Sequence, residues 1–150
     1  MTAFADASAV VKLFSDEDGT DRVRAEPGPF AVSVLTRVET ASALWRKSQA
    51  GELSSQRARR LVTGVRVQLA AQRFAHGAEV LEAPLTTQMC DDATRLCGIH
   101  ALRAGDAVQL ATALAVREID PSCNRFWVFD GRLADAAARE GFAALGPVAG

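Results

Sequence analysis

The sequence predicts an α/β fold, a three-layer α/β/α sandwich around a mainly parallel sheet of about five strands. Short, near-continuous apolar runs alternate with longer segments of helical periodicity, the pattern of a parallel sheet covered by helices on both faces. The chain has 150 residues, of which 49% are hydrophobic, so it can bury the core that such a sandwich needs. Because no linker, internal repeat or low-complexity tract interrupts it, we expect residues 1–150 to form a single domain.

Each predicted strand is an apolar run of five to seven residues, bounded by a turn signal or by the polar start of a helix. The chain break EPGP precedes the second run, and Pro84 ends the third. In chain order the strands are TAFAD (residues 2–6), FAVSV (30–34), AEVLEA (78–83), RFWVFD (125–130) and GFAALGP (141–147).

The predicted helices repeat apolar residues at intervals of three and four. Ser54 or Ser55 is placed to cap the fourth helix, and Thr86 or Thr87 the fifth. In chain order the helices are SAVVKLF (8–14), a short helix after the polar turn DEDGTDR (16–22), TRVETASALWRKSQ (36–49), GELSSQRARRLVTGVRVQLAAQRF (51–74), TTQMCDDATRLCGIHA (86–101), GDAVQLATALAVRE (105–118) and GRLADAAARE (131–140).

The composition is typical of a cytoplasmic protein. No apolar run approaches the roughly 18 residues that span a bilayer, and Asp6 interrupts the apolar start, so we expect neither a membrane helix nor a signal peptide. The cysteines Cys90, Cys97 and Cys123 show no C-x-x-C spacing, which favours reduced thiols over a metal or disulfide site.

The net charge of −1 conceals a marked asymmetry. Residues 46–75 carry seven basic and one acidic residue, whereas residues 1–45 carry four basic and seven acidic, and residues 76–150 six basic and ten acidic. A basic block between acidic flanks fits either a surface for a polyanion or an arginine-rich helix face in water.

Four carboxylates are predicted to meet at one edge of the sheet. Ligands bind open parallel sheets outside the carboxyl ends of the strands, where the following helices begin. Asp6 and Asp130 end the first and fourth strand runs. Asp106 opens one helix, and Glu39 lies about one turn into another. Each aspartate can instead be an N-cap, whereas Glu39 cannot cap and has only a water-facing position as its alternative.

Carboxylates that share a pocket need protons or a cation. Two of them about 4 Å apart repel by about 4 kcal/mol at an effective dielectric constant of about 20. A set of oxygen ligands without His or Cys selects Mg²⁺ or Mn²⁺ over zinc. Such sites typically serve phosphoryl chemistry, in which the ion activates water and stabilises charge on the attacking and leaving oxygens.

Four segments together resemble a known family. FADASAVVKLF (4–14), SVLTRVETASALWR (33–46), HALRAGDAVQLATAL (100–114) and FWVFDGRLADAAAREGF (126–142) resemble, in order and spacing, the acidic blocks of PIN-domain proteins. They are most similar to VapC-type ribonuclease toxins of bacterial type II toxin–antitoxin pairs. The resemblance implies a PIN-like three-layer sandwich. It also implies catalytic, metal-binding acids at Asp6, Glu39, Asp106 and Asp130, with Ser8 as the hydroxyl that supports the first of them.

By the same resemblance, the expected activity is Mg²⁺- or Mn²⁺-dependent endonucleolytic cleavage of RNA. The expected partners are a small antitoxin that blocks the cleft, a second copy of the chain, and operator DNA only through the antitoxin complex. The chain departs from the family where Ala7, Val128 and Gly131 replace residues that are often hydroxylic or, at the last position, basic. These losses thin the polar surroundings that orient metal ligands, above all around Asp130.

Several cations flank the acidic blocks and are candidates for binding RNA, with ordinary surface cations as the alternative. They are Arg46, Lys47 and Arg103, followed by Lys12 and Arg132. His76 and His100 are not required by a metal-dependent mechanism and are read as surface or helix-end residues.

Two other functions stay open at the level of sequence. One is a non-catalytic module that acts with an antitoxin in operator-DNA repression and uses the basic block. The other is a haloacid-dehalogenase-like phosphatase, although that pattern has a second Asp where this chain has Ser8. A nucleotide-binding fold is disfavoured because neither G-x-G-x-x-G nor a Walker lysine is present.

Overall fold

The computed structural model describes residues 1–146 and is built around a parallel five-stranded sheet. Neighbouring strands pair in the order β3-β2-β1-β4-β5. This arrangement, with helices packed on both faces, confirms the predicted fold class. The strands are β1 (Ala3–Ala5), β2 (Phe30–Ser33), β3 (Val80–Ala83), β4 (Arg125–Trp127) and β5 (Ala143–Leu145).

The helices follow the predicted order, and side-chain caps explain several of their starts. Ser54 Oγ accepts from the backbone N–H of Arg57 at 3.0 Å, and Thr86 Oγ1 accepts from that of Met89 at 3.1 Å. Ser54, not Ser55, is therefore the cap of the fourth helix, and Thr86, not Thr87, is the cap of the fifth. The helices are α1 (Ala7–Phe14), α2 (Thr20–Arg24), α3 (Thr36–Gln49), α4 (Ser55–Ala70), α5 (Thr87–His100), α6 (Ala104–Ile119) and α7 (Gly131–Arg139).

Side chains from alternate strand positions enter two separate hydrophobic cores. Phe30 and Val32 of β2 pack in one core with Leu44 of α3, and Phe4 of β1 packs in the other with Leu110 of α6. All of these are fully buried. A sheet covered on both faces explains why its strands read as continuous apolar runs.

Several predicted boundaries are wrong. The first strand run was expected to end at Asp6, but β1 ends at Ala5 and Asp6 is the N-cap of α1. The fourth strand run was expected to reach Asp130 but ends at Trp127, since Asp130 is the N-cap of α7. The helix expected over 51–74 covers only Ser55–Ala70. The helix that Asp106 was expected to open begins two residues earlier, at Ala104. The last predicted strand, 141–147, extends to Pro147, which lies outside the described residues.

The topology places a crevice beside β1. From β1 the chain adds β2 on one side of the sheet and later adds β4 on the other. Ligands of open α/β sheets bind outside the carboxyl ends of the strands at such a switch point. No helix within residues 1–146 is long and apolar enough to cross a membrane.

Candidate active-site cleft

A cleft of about 590 Å³ opens at the carboxyl ends of β1 and β4. All four predicted acids line it, although they come from four different parts of the chain. The lining residues are Asp6, Ala7, Ser8, Val11, Lys12, Glu17, Val38, Glu39, Ser42, Ala43, Arg46, Asp106, Phe129 and Asp130.

Asp6 is both the N-cap of α1 and the most buried acid of the cleft. Its Oδ1 accepts from Ser8 Oγ at 2.5 Å and from the backbone N–H of Ala9 at 3.2 Å. Burial raises the pKa of Asp6 from 3.8 to about 7, and the negative charges of Glu39 and Asp106 add to the rise, which the two hydrogen bonds only partly oppose. Capping and a position in the cleft are therefore compatible roles.

Asp106 lies in the first turn of α6, and the N-cap there is Arg103, which makes no side-chain capping bond. The capping alternative is therefore wrong for Asp106. Burial raises its pKa, and the charges of Asp130 and Glu39 raise it further. Within residues 1–146 Asp106 forms no ion pair, so it is an uncompensated carboxylate with a raised pKa that lines the cleft.

Asp130 caps α7, since its Oδ1 accepts from the backbone N–H of Leu133 at 3.0 Å. Its side chain is the most exposed of the four acids. Among residues 1–146, its other carboxylate oxygen has no hydrogen-bond donor, and the residue lines the cleft.

Glu39 is held by a residue that sequence analysis missed. Gln109 Nε2 donates to Glu39 Oε1 at 2.7 Å and lies 3.2 Å from Thr36 Oγ1, so it joins α6 to α3. Gln109 is fully buried. Its one sequence signal is a polar residue within the apolar helix, three positions after Asp106.

Gly105 allows the start of α6 to approach Glu39 closely. A Cβ added to Gly105 would lie 3.1 Å from Glu39 Oε2, tighter than ordinary van der Waals contact. The missing side chain therefore leaves room for the carboxylate beside Asp106.

Ser8 lies where the predicted supporting hydroxyl belongs. Besides donating to Asp6, its Oγ accepts from the backbone N–H of Phe129 at 2.8 Å. This hydroxyl therefore ties the end of β1 to the loop that carries Asp130, and it orients the first acid of the cleft.

The donor chemistry of the cleft fits a hard divalent cation. Within the described part of the chain, no three acidic, His or Cys side chains already converge as a ready-made metal group. However, the charges of Glu39 and Asp106 raise the pKa of Asp6, and that of Asp130 raises the pKa of Asp106, so these groups lie within electrostatic range. An oxygen-only set of this kind suits Mg²⁺ or Mn²⁺.

The predicted RNA-binding cations are not all brought together. Lys12 and Arg46 line the cleft, and Lys47 lies beside it through an ion pair with Glu17. Arg103 is exposed near Asp106, and its positive charge opposes the rise in the pKa of Asp106. Arg132 lines a separate depression next to His100, which is the last residue of α5.

Comparisons with known proteins agree with this architecture. The family model described as PIN domain matches residues 3–138. No curated protein sequence matches the chain significantly. Solved structures are similar at 17–22% sequence identity, a range in which they show the fold alone.

One such structure is VapC20 of Mycobacterium tuberculosis, described as a Sarcin-Ricin loop cleaving toxin, with 18% identity and a TM-score of 0.65 over 97% of this chain and 100% of that one. PAE2754 of Pyrobaculum aerophilum has 22% identity and a TM-score of 0.59 over 96% and 89%. A toxin–antitoxin complex from Klebsiella pneumoniae has 17% identity and a TM-score of 0.53 over 86% and 87%.

Proposed function

The chain belongs to the PIN-domain family, and from that premise we propose that it is an Mg²⁺- or Mn²⁺-dependent endoribonuclease, the toxin of a toxin–antitoxin pair. The observation that carries the proposal is that four carboxylates from separate parts of the chain line one cleft. Two of the similar structures, the Mycobacterium tuberculosis toxin and the Klebsiella pneumoniae complex, support the toxin role.

In the proposed site, Asp6, Glu39 and Asp106 hold the principal ion, and Asp130 assists directly or through water. When bound, the ion would activate water for attack on a phosphodiester and stabilise charge on the attacking and leaving oxygens. Ser8 and Gln109 hold the carboxylates of Asp6 and Glu39 in place. Burial of Asp6 makes its free carboxylate costly at neutral pH, which favours a cation in the cleft.

The first experiment compares RNA cleavage by the wild type with that by Asp6→Asn and Asp106→Asn, with Mn²⁺ and with EDTA. Both substitutions are expected to abolish metal-dependent cleavage while circular dichroism shows an intact fold. Asp91→Asn serves as the matched control, because Asp91 is exposed on α5 and remote in sequence from the cleft residues. Undiminished cleavage by both cleft variants would contradict the assignment.

The exposed arginines of α4 favour a second candidate function, a module that acts with an antitoxin in operator-DNA repression. Arg57, Arg59, Arg60 and Arg66 are exposed and form most of the basic block. If this is the sole function, the chain supports operator binding but cleaves no RNA with Mn²⁺. The family match leaves the phosphatase alternative without support.

We also propose a small antitoxin that covers the cleft, and a homodimer. The toxin–antitoxin complex among the similar structures supports an antitoxin partner, and Val38, which lines the cleft and is 66% exposed, offers it an apolar side chain. Co-expression with the open reading frame next to the gene, followed by light scattering, tests both assemblies. Copurification with loss of cleavage is expected, and cleavage that persists in the complex would contradict the cleft-blocking role.

A further inference from the structure

One carboxylate joins two ammonium groups at the rim of the cleft. Lys12 Nζ of α1 lies 2.9 Å from Glu17 Oε1, and Lys47 Nζ of α3 lies 2.5 Å from Glu17 Oε2. Each oxygen of the carboxylate thus pairs with a different lysine. Although burial opposes ionisation, hydrogen bonds from Lys47 and Lys12 keep the pKa of Glu17 below its ordinary value, so Glu17 is charged at neutral pH.

The fold holds the loop that carries Glu17 in place. The backbone N–H of Glu17 donates to Thr20 Oγ1 at 3.1 Å, and that hydroxyl donates to the carbonyl of Lys12 at 2.9 Å. Gly19 adopts a φ of 92° and packs on the ring of Phe129, where an added Cβ would lie 2.7 Å from Cε1. The contact between Glu17 and the lysines is therefore built into the local structure and is not a chance encounter of flexible side chains.

Lys12 needs an anion at all times. Its side chain is only 11% exposed, and its ammonium lies 4.3 Å from the centre of the Phe129 ring. A largely buried charge without a partner is unfavourable, so release of Glu17 is favoured when another anion replaces it. A phosphodiester is suited to the exchange, because like a carboxylate it presents two anionic oxygens.

The position of Glu17 fits the path of a bound nucleic acid. Glu17 lines the acidic cleft and also an adjoining depression, which is lined by Lys47 and Arg57 together with the acids Asp16 and Glu52. A strand with its scissile phosphate near Asp6 and Asp106 that left the cleft on the side of this depression would pass over Glu17.

Building on the proposed ribonuclease function, we propose that Lys12 and Lys47 bind one backbone phosphate of the RNA beside the cleft. Glu17 is the internal counter-ion of this phosphate site: it fills the site in the free protein, and the phosphate displaces it. Glu17 thus weakens RNA binding, and does so through the two lysines and not through general repulsion.

Affinity for a fluorescent single-stranded RNA oligonucleotide tests this proposal, measured by anisotropy in EDTA over a range of salt concentrations. Glu17→Gln is expected to bind roughly 3- to 10-fold more tightly at low salt, the effect of removing two competing ion pairs. Asp18→Asn is the matched control, since Asp18 is exposed next to Glu17, forms no ion pair within residues 1–146, and its substitution changes the net charge equally.

A double-mutant cycle with Lys47→Gln separates competition from general repulsion. If Glu17 acts through the lysines, the gain from Glu17→Gln becomes smaller in the Lys47→Gln background, because only the pair with Lys12 is left to compete. Lys47→Gln alone should lower the salt slope of RNA binding by about one. Glu17→Ser, as a second variant, must reproduce the gain, and thermal melts establish that every variant is folded.

Two outcomes overturn the inference and leave the ribonuclease function standing: a gain no larger than that of Asp18→Asn, or an equal gain with and without Lys47. A wild-type protein that neither binds nor cleaves RNA refutes the proposed function, and the phosphate site with it.

Discussion

Replacing the buried acid of the cleft by its amide, Asp6→Asn, should stabilise the metal-free protein while destroying its activity. Asn is as good an N-cap as Asp, and its Oδ1 can still accept from Ser8 and Ala9. The substitution therefore removes the charge and leaves the local structure nearly unchanged. A residue placed for folding alone would show the opposite sign.

The size of the effect follows from the pKa of Asp6. Burial raises that pKa from 3.8 to about 7, so the folded state binds more protons than the unfolded state between these values, and the free energy of unfolding falls as the pH rises through this window. The total loss above pH 7 is about 4 kcal/mol, at 1.36 kcal/mol for each pKa unit. Loss of the favourable charge at the start of α1 offsets about 0.5–1 kcal/mol. We expect a net gain of about 2–4 kcal/mol at pH 8.

Urea denaturation at pH 4, 6 and 8 measures this gain in EDTA and in Mn²⁺. At 100 times its dissociation constant a bound ion stabilises a protein by about 2.7 kcal/mol, and the variant should lose most of that response. Asp120→Asn is the control of opposite sign, because hydrogen bonds from Thr2 and Ser122 lower the pKa of Asp120. It should reduce stability without altering the response to Mn²⁺. The reasoning would be refuted if Asp6→Asn were less stable than the wild type at pH 8 in EDTA. It would also be refuted if Mn²⁺ stabilised Asp6→Asn as much as it stabilises the wild type.

Two further predictions concern Gln109, which binds Glu39, and Glu26, which is paired with Arg125. Gln109→Leu removes the hydrogen bond to Glu39 and should lower the rate of metal-dependent RNA cleavage by about 10- to 100-fold. The circular dichroism spectrum should be unchanged. A variant that cleaves RNA at the wild-type rate would exclude this positioning role of Gln109. Glu26→Gln should lower the free energy of unfolding at pH 7 by about 1–3 kcal/mol, because it breaks the pair between buried Glu26 and partly exposed Arg125 and weakens the 3.0 Å bond from Trp127. Burial opposes ionisation, but these partners lower the pKa of Glu26 below 4.5; its stabilisation is therefore present above pH 4.5 and is lost as the pH falls through the folded value. Urea titrations of both proteins should converge in acid, and a difference independent of pH would contradict the role of the charge.

Features that depend on short stretches of chain could be predicted from the sequence. The apolar runs correspond to all five strands, and the residues that begin helices include the caps Ser54 and Thr86. The common edge for the acids followed from a general rule of parallel sheets. Boundaries were less accurate: Asp130 belongs to the cap of α7 because its carboxylate satisfies a free N–H there, which apolar patterning does not register.

Contacts between distant residues could not be predicted. Gln109 binds Glu39 across 70 positions, and only the packing of α6 against α3 makes them neighbours. Lys12 and Lys47 are candidates for binding RNA at the level of sequence, but only the fold gives both the same counter-ion, Glu17, and places Lys47 3.5 Å from Glu52 as well.

The sequence by itself determined the class of fold, the order of its elements and the four acids at one edge of the sheet, because periodicity and helix capping are local properties. Only the tertiary structure decided which acids also cap, how deeply each is buried and which side chains hold or neutralise the charged groups of the cleft. Those properties depend on desolvation and on partners far away in the chain, and both arise when the helices pack on the sheet.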